Sequence, residues 1–122
     1  RSFSFYRDGT ADLRFRPADF RAETFRDIAV FHVCSNSMTD PALAATTREG
    51  MQRAHGAGAL VSFDLNLRPA LWPADADPRP LLWPALHLAD VVKLSAEEFA
   101  WLAVDGEQPT LDRLWLGRTR LV

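Results

Sequence analysis

Three polar residues alternate along the segment VSFDLNLRPALWP, which runs from Val61 to Pro73. Successive side chains of an extended chain point to opposite sides, so Asp64, Asn66 and Arg68 share one side. Arginine offers a planar fork of donors suited to phosphate or carboxylate, and asparagine supplies both a donor and an acceptor. Together they could receive an anion at a strand end. The same spacing also allows Asp64 to pair with Arg68 and brace a loop that Trp72 pins to the core. Ser95-Ala96-Glu97-Glu98 carries a capping-box pattern, in which the Ser95 side chain caps the Glu98 N–H and the carboxylate reaches back. A helix N-terminus facing a crevice also favours phosphate, with a carboxylate nearby to hold magnesium through water. The two readings of Ser95 and Glu98 are compatible. Tyr6-Arg7 could clamp a hydroxylated or anionic substrate, or form an ordinary surface pair.

His32 and Cys34 stand two apart in a strand-like run and therefore face the same side. No CxxC or HExxH spacing accompanies them, so the expectation is packed core rather than a metal pair. A thiol hydrolase built on Cys34 is the minority alternative. His55 and His87 read as surface or helix-end residues. Neither GxGxxG nor GxxxxGK[ST] occurs, which leaves no dinucleotide loop and no P-loop in this span. Lys93 is the only lysine among 14 basic residues.

The elements that must position these groups follow from periodicity. The loose alternation RSFSFYR at Arg1 to Arg7 predicts a half-buried strand, and Asp8-Gly9-Thr10 a turn. Residues 12 to 27, with Pro17 and scattered phenylalanines, predict short turns. Ile28 to Cys34 is an apolar run of the kind found in buried parallel strands. Asp40-Pro41 then starts a helix, Asp40 as cap and Pro41 in the first turn, running to about His55 before Gly56-Ala57-Gly58. Leu60 to Asp64 predicts a second strand, residues 79 to 88 a helix containing Pro84, and Asp90 to Leu94 a third strand. Helices are expected at Ser95 to Ala103 and Leu111 to Leu116, and Leu121-Val122 reads as the opening of another strand. Alternating strands and helices imply an α/β fold, a parallel sheet with flanking helices joined by right-handed crossovers. In such sheets ligands gather at the carboxyl ends of the strands. Here those ends carry Cys34 to Ser37, Asp64 to Arg68 and Lys93 to Glu98.

Composition narrows the classes. The 122 residues are 48% hydrophobic and 25% charged, the balance of one globular domain at most. A formal net charge of -2 gives no bulk attraction to nucleic acid or anionic membrane. The arginine-rich first 30 residues hold six Arg against five acidic residues, too even for an RNA-binding arm. Apolar stretches break well before the roughly 18 residues of a membrane span. The single cysteine excludes an internal disulfide and fits a reducing cytoplasm.

Taken together, RSFSFYRDGTAD, FHVCSNSMTD, VSFDLNLRPALWP and ADVVKLSAEEFAWL resemble the ribokinase-like (PfkB) family of carbohydrate kinases, especially its fructokinase and 2-keto-3-deoxygluconate kinase branch. The resemblance implies residues 1–122 as an incomplete kinase domain: 1–27 a lid return strand and connection, 28–122 a βαβα core portion. It implies transfer of the γ-phosphoryl of ATP to a sugar hydroxyl with Mg2+ present, and a cytoplasmic enzyme that could dimerise through its lid. Tyr6 and Arg7 match substrate-contacting positions at the lid. Asn66 and Arg68 match positions near the ATP phosphates, and Ser95 and Glu98 the family's N-x-x-E motif, whose Glu supports the hydrated metal. Serine here replaces that motif's Asn. The family's proton-accepting Asp lies in a GAGD segment, and its sugar site uses an early Asp and a Gly-Gly stretch. These segments are absent from the 122 residues and are expected after Val122 and before Arg1. The chain is therefore expected to be a central piece without activity of its own, with a non-catalytic nucleotide- or partner-binding remnant as the alternative.

Overall fold

A computed structural model describes residues 5–122, and every structural statement below concerns them. Three parallel strands, β1 (Val30–Cys34), β2 (Leu60–Asp64) and β3 (Val91–Lys93), lie side by side in that order. The register pairs Val33 with Phe63 and Phe63 with Val92, and one residue further on Cys34 with Asp64 and Asp64 with Lys93. Leu121 bridges Val91 in parallel, so the expected opening of another strand lies at the free edge of β3.

The helices are α1 (Ala11–Arg14), α2 (Pro41–Gly56), α3 (Arg79–Leu86), α4 (Ala96–Leu102) and α5 (Glu107–Trp115). Short 310 turns at Pro17–Asp19, Ser35–Met38 and Pro69–Leu71 fill the connections. α2 begins as its sequence implies: the Asp40 carboxylate accepts the Leu43 N–H at 2.9 Å and Pro41 occupies the first position. α5 begins at Glu107, earlier than the expected Leu111. Pro109 fits the first turn, where its missing N–H would have had no partner, so it does not delay the helix.

Strands that advance in one direction through right-handed crossovers place every crossover helix on the same face of the sheet. Burial follows that rule. Val33, Val61, Phe63 and Val92 are buried on one face, while Val30, His32, Leu60 and Lys93 on the other are exposed. This corrects the expectation for His32 and Cys34. They do share a side, but it is the side without helices: His32 is exposed and hydrogen-bonds Ser62 Oγ at 3.1 Å, and Cys34 is half-buried. The run Ile28 to Cys34 is accordingly buried on one face only.

The core combines that sheet face with Met38, Met51, Leu65, Leu82, Leu86 and Leu114. The irregular stretch before β1 is anchored by a relay of rings. Phe15 meets Phe20 edge-on at 5.0 Å, Phe20 meets Phe25 at 5.1 Å, and Phe25 meets Phe31 at 5.7 Å. α2 can approach this relay because position 50 is glycine: a Cβ there would sit 2.7 Å from Phe20 Cζ and 3.0 Å from Phe31 Cζ. The expected strand over Arg1 to Arg7 falls partly on residues 1–4, outside the described residues; Phe5 to Arg7 are not in a strand. No helix among the described residues is long and apolar enough to cross a membrane.

Candidate functional site

Parallel pairing in register brings the carboxyl ends of β1, β2 and β3 to one rim, and hydrogen bonds then stitch the tips together. Just past β1, the fully buried Ser35 donates its hydroxyl to the Asn66 carbonyl at 3.4 Å. Just past β2, the Leu67 N–H donates to Glu98 Oε1 at 2.8 Å. Leu65 N–H donates to the Lys93 carbonyl at 3.0 Å, which extends the β2–β3 ladder by one step. Three tips that are far apart in sequence thus form one structure.

At the head of α4 both halves of the capping box are formed. The Glu98 N–H donates to Ser95 Oγ at 3.2 Å, and the Ser95 N–H donates to Glu98 Oε2 at 2.9 Å. Ser95 Oγ acts there as an acceptor, so its own O–H remains a donor. Both Glu98 oxygens are held by backbone N–H groups, one from its own cap and one from the β2 tip.

Asn66 adopts φ +36°, in the left-handed region that L residues seldom enter and Asn tolerates best among those with side chains. That turn directs the chain into Arg68, which is exposed. Arg68 makes a hydrogen bond only to the neighbouring Leu67 carbonyl, at 3.2 Å, and has no carboxylate partner among the described residues. The alternative in which Asp64 pairs with Arg68 is not what forms. Asp64 pairs with Lys93, whose Nζ lies 3.2 Å from both carboxylate oxygens, because parallel register sets those residues side by side. Trp72 is buried, as the bracing alternative expected of it.

Tyr6 and Arg7 are placed differently from the strand tips. Tyr6 is 91% exposed. Arg7 is braced within the chain: Nε and Nη2 donate to Asp12 Oδ2 at 3.0 and 2.6 Å, and Nη1 donates to the Asn36 carbonyl at 3.1 Å and to Thr39 Oγ1 at 2.9 Å. Hydrogen bonds from the Thr10 side chain and then from Arg7 hold the Asp12 carboxyl below the usual range. Arg7 and Asn36 border a mostly apolar cavity of about 740 Å³, whose other walls include Phe5, Phe15, Phe31 and Leu43. Such walls suit rings and methyl groups better than a polyhydroxylated ligand.

Two participants have no local sequence signal. Ser35 stands in a run of small polar residues that could end any strand, and the Glu98–Leu67 link spans 31 residues. No group of three His, Cys, Asp or Glu residues that could hold a metal ion is found among the described residues. Each Glu98 oxygen accepts one main-chain N–H and keeps a second lone pair, with which the carboxylate could still accept from a metal-bound water.

Comparison with known proteins comes down on one kind of enzyme. No protein-family model matches the chain. Fructokinase-1 of Oryza sativa subsp. japonica is 37% identical over 125 residues, covering 100% of this chain and 38% of the relative. The crystal structure of a fructokinase from Xylella fastidiosa superposes with a TM-score of 0.94 at 52% identity, covering 98% of this chain and 38% of that one. The same enzyme is also known with bound ATP. Aminoimidazole riboside kinase from Salmonella enterica, complexed with its riboside and an ATP analog, matches with a TM-score of 0.75 at 27% identity, covering 94% of this chain and 38% of that one. The chain spans 32% to 38% of the length of the first curated relatives it matches.

Proposed function

Because this chain belongs to the ribokinase-like (PfkB) family of carbohydrate kinases, we propose that the protein carrying it transfers the γ-phosphoryl group of ATP to a hydroxyl of fructose. The observation that carries the reading is the stitched rim. The tips of β1 and β2 and the head of α4 meet at one carboxyl-end rim, and Arg68 stands there without a carboxylate partner among the described residues. A planar, permanently charged guanidinium in that position suits an anionic phosphoryl group.

In this reading Arg68 and Asn66 face the phosphates, and the Ser95 O–H donates to a phosphate oxygen while its Oγ caps α4. The sugar oxygen bonds to the γ-phosphorus, the bond from that phosphorus to the oxygen bridging to ADP breaks, and the hydroxyl proton passes to a base. Positioning and charge stabilisation supply most of the acceleration of such a transfer. The base is assigned to none of the residues of this chain. No step is routed through magnesium; Glu98 would hold it through a bound water, and the ion would supply charge to the phosphates. Tyr6 and Arg7 are assigned to the sugar side, Arg7 acting by holding the Asn36 loop and Tyr6 by reaching a substrate from its exposed position. Pairing through the lid would make the protein a homodimer.

The test is release of ADP by the full-length protein with fructose, compared with 2-keto-3-deoxygluconate and aminoimidazole riboside. Fructose-dependent ADP release at the highest kcat/KM of the three is expected, and the isolated 122-residue chain is expected to give none. ATP binding without turnover on any sugar would replace this reading with the non-catalytic remnant.

A further inference from the structure

The Asn66–Leu67 peptide group is gripped at both ends by residues from the two neighbouring elements. Its carbonyl accepts the hydroxyl of Ser35, just past β1, and its N–H donates to Glu98 Oε1, in α4. This peptide directly follows the left-handed turn at Asn66 and directly precedes Arg68. A residue in that conformation persists only where its surroundings over-determine it. Nothing local does so here: the two residues that fix the peptide lie 31 positions away on either side.

We propose that Glu98 is a positioning residue: its carboxylate clasps the β2 tip to the head of α4 and thereby fixes Asn66 and aims Arg68. The inference rests on the kinase reading for what Arg68 is aimed at, but not for the clasp itself. A carboxylate is the side chain this role needs. It accepts through two oxygens and donates nothing, and it must receive N–H donors from two segments at once, Leu67 at 2.8 Å and Ser95 at 2.9 Å. A glutamine has one accepting oxygen and would turn its NH2 toward one of those N–H groups. An aspartate is one methylene short of spanning both. Each oxygen accepts one of these N–H groups and keeps a second lone pair, so the clasp is separate from any contact the carboxylate makes to a metal-bound water. Loss of Glu98 should therefore disturb the geometry of the β2 tip.

The experiment uses the full-length protein and the Glu98→Gln variant, read in two independent ways. Amide hydrogen exchange at Leu67 and Ser95 is expected to quicken at least tenfold in the variant, a readout that needs no kinase activity. In the sugar-dependent assay kcat should fall tenfold or more, while KM for the sugar stays within twofold. Unchanged exchange at Leu67 overturns the clasp, whether or not the protein phosphorylates a sugar. Quickened exchange with an unchanged kcat overturns the part of the proposal that has the clasp aim Arg68. Should Glu98→Gln fail to fold, Ser35→Ala loosens the other end of the same peptide: a lowered kcat supports the proposal, and an unchanged kcat overturns it. A wild-type protein that shows protected Leu67 and Ser95 amides but phosphorylates nothing would remove the kinase reading and leave the clasp standing.

Discussion

Lys93 and Asp64 are register partners on β3 and β2, and the Lys93 ammonium sits 3.2 Å from each carboxylate oxygen of Asp64. The pair lies at the rim where the strand tips converge, and it settles which cation there is already neutralised. Lys93 is matched, so Arg68 is the unpaired positive charge of the β2 tip.

Arg68→Ala is expected to lower kcat of the full-length kinase at least tenfold while KM for the sugar changes less than threefold. The guanidinium's partner in the proposed reaction is a phosphoryl group that gains charge stabilisation in the transition state, and losses of that kind fall on kcat. Lys93→Ala, by contrast, removes an ion pair whose ammonium is 64% exposed, worth under about 1 kcal/mol at such exposure. An Arg68→Ala enzyme with unchanged kcat would detach the β2 tip from the chemistry.

Gly50→Ala should destabilise the fold although alanine is the better helix former. Helix propensity favours alanine by about 1 kcal/mol. The added methyl would meet Phe20 at 2.7 Å and Phe31 at 3.0 Å, and both rings are held in the aromatic relay. Overpacking of that sort costs about 1–3 kcal/mol, so the net effect is a loss or, at the gentlest, a cancellation. Urea unfolding measures it, and a clear gain in midpoint would mean that the relay gives way freely.

What the sequence made legible was local. Asp40, Pro41 and Gly56 to Gly58 bound α2 through contacts within a turn of each terminus, and the Ser95–Glu98 box formed as written. The polar strand ends were readable because the apolar runs stop abruptly at Ser35, Asp64 and Lys93. Which face of β1 is covered was not readable. Burial of His32 depends on where the crossover helices lie, and periodicity along one strand carries no information about that. The pairing of Asp64 with Lys93 and the Glu98 link to Leu67 depend on contacts between segments about 30 residues apart, whereas local spacing offered Asp64 only Arg68.

Acid should loosen the tie between Arg7 and Asp12 later than an ordinary carboxylate would suggest. The Asp12 carboxyl is held below its usual 3.8 by the Thr10 side chain and then by Arg7. A depressed folded-state pKa contributes stability that is fully present above the unfolded value and is lost as pH falls through the folded one. At pH 3.8 the Asp12 carboxyl should therefore still be more than half ionised, and the tie to Arg7 is lost as pH falls further. Titration of the Asp12 carboxyl carbon by NMR would show a midpoint under 3.8, and a midpoint at or above that value would contradict the placement of the guanidinium.

Asp90 is the last test, and it separates two contributions from one buried carboxylate. The residue is 1% exposed, and its Oδ2 accepts the Val61 N–H at 2.9 Å at the start of β2. Its Oδ1 lies 4.0 Å from Arg118 Nε and 3.9 Å from Arg120 Nε, with His55 Nδ1 4.0 Å from Oδ2. Asp90→Ala strands a buried backbone donor, at a cost of about 1–3 kcal/mol. It also removes the carboxylate that two arginines approach, which are 41% and 73% exposed, a smaller loss because water rehydrates them. Asp90→Asn keeps an acceptor for Val61 but gives up the charge and turns an NH2 toward two exposed arginines that water can hydrate, so its loss of stability should be less than half that of the alanine variant. High salt should narrow the gap between Asp90 and Asp90→Asn, because it screens the arginines, and leave the gap between Asn and Ala nearly unchanged, because a buried N–H is not screened. If urea unfolding finds Asn as costly as Ala, the charge and not the Val61 hydrogen bond is what ties the N-terminal end of β2 to the segment around Leu121.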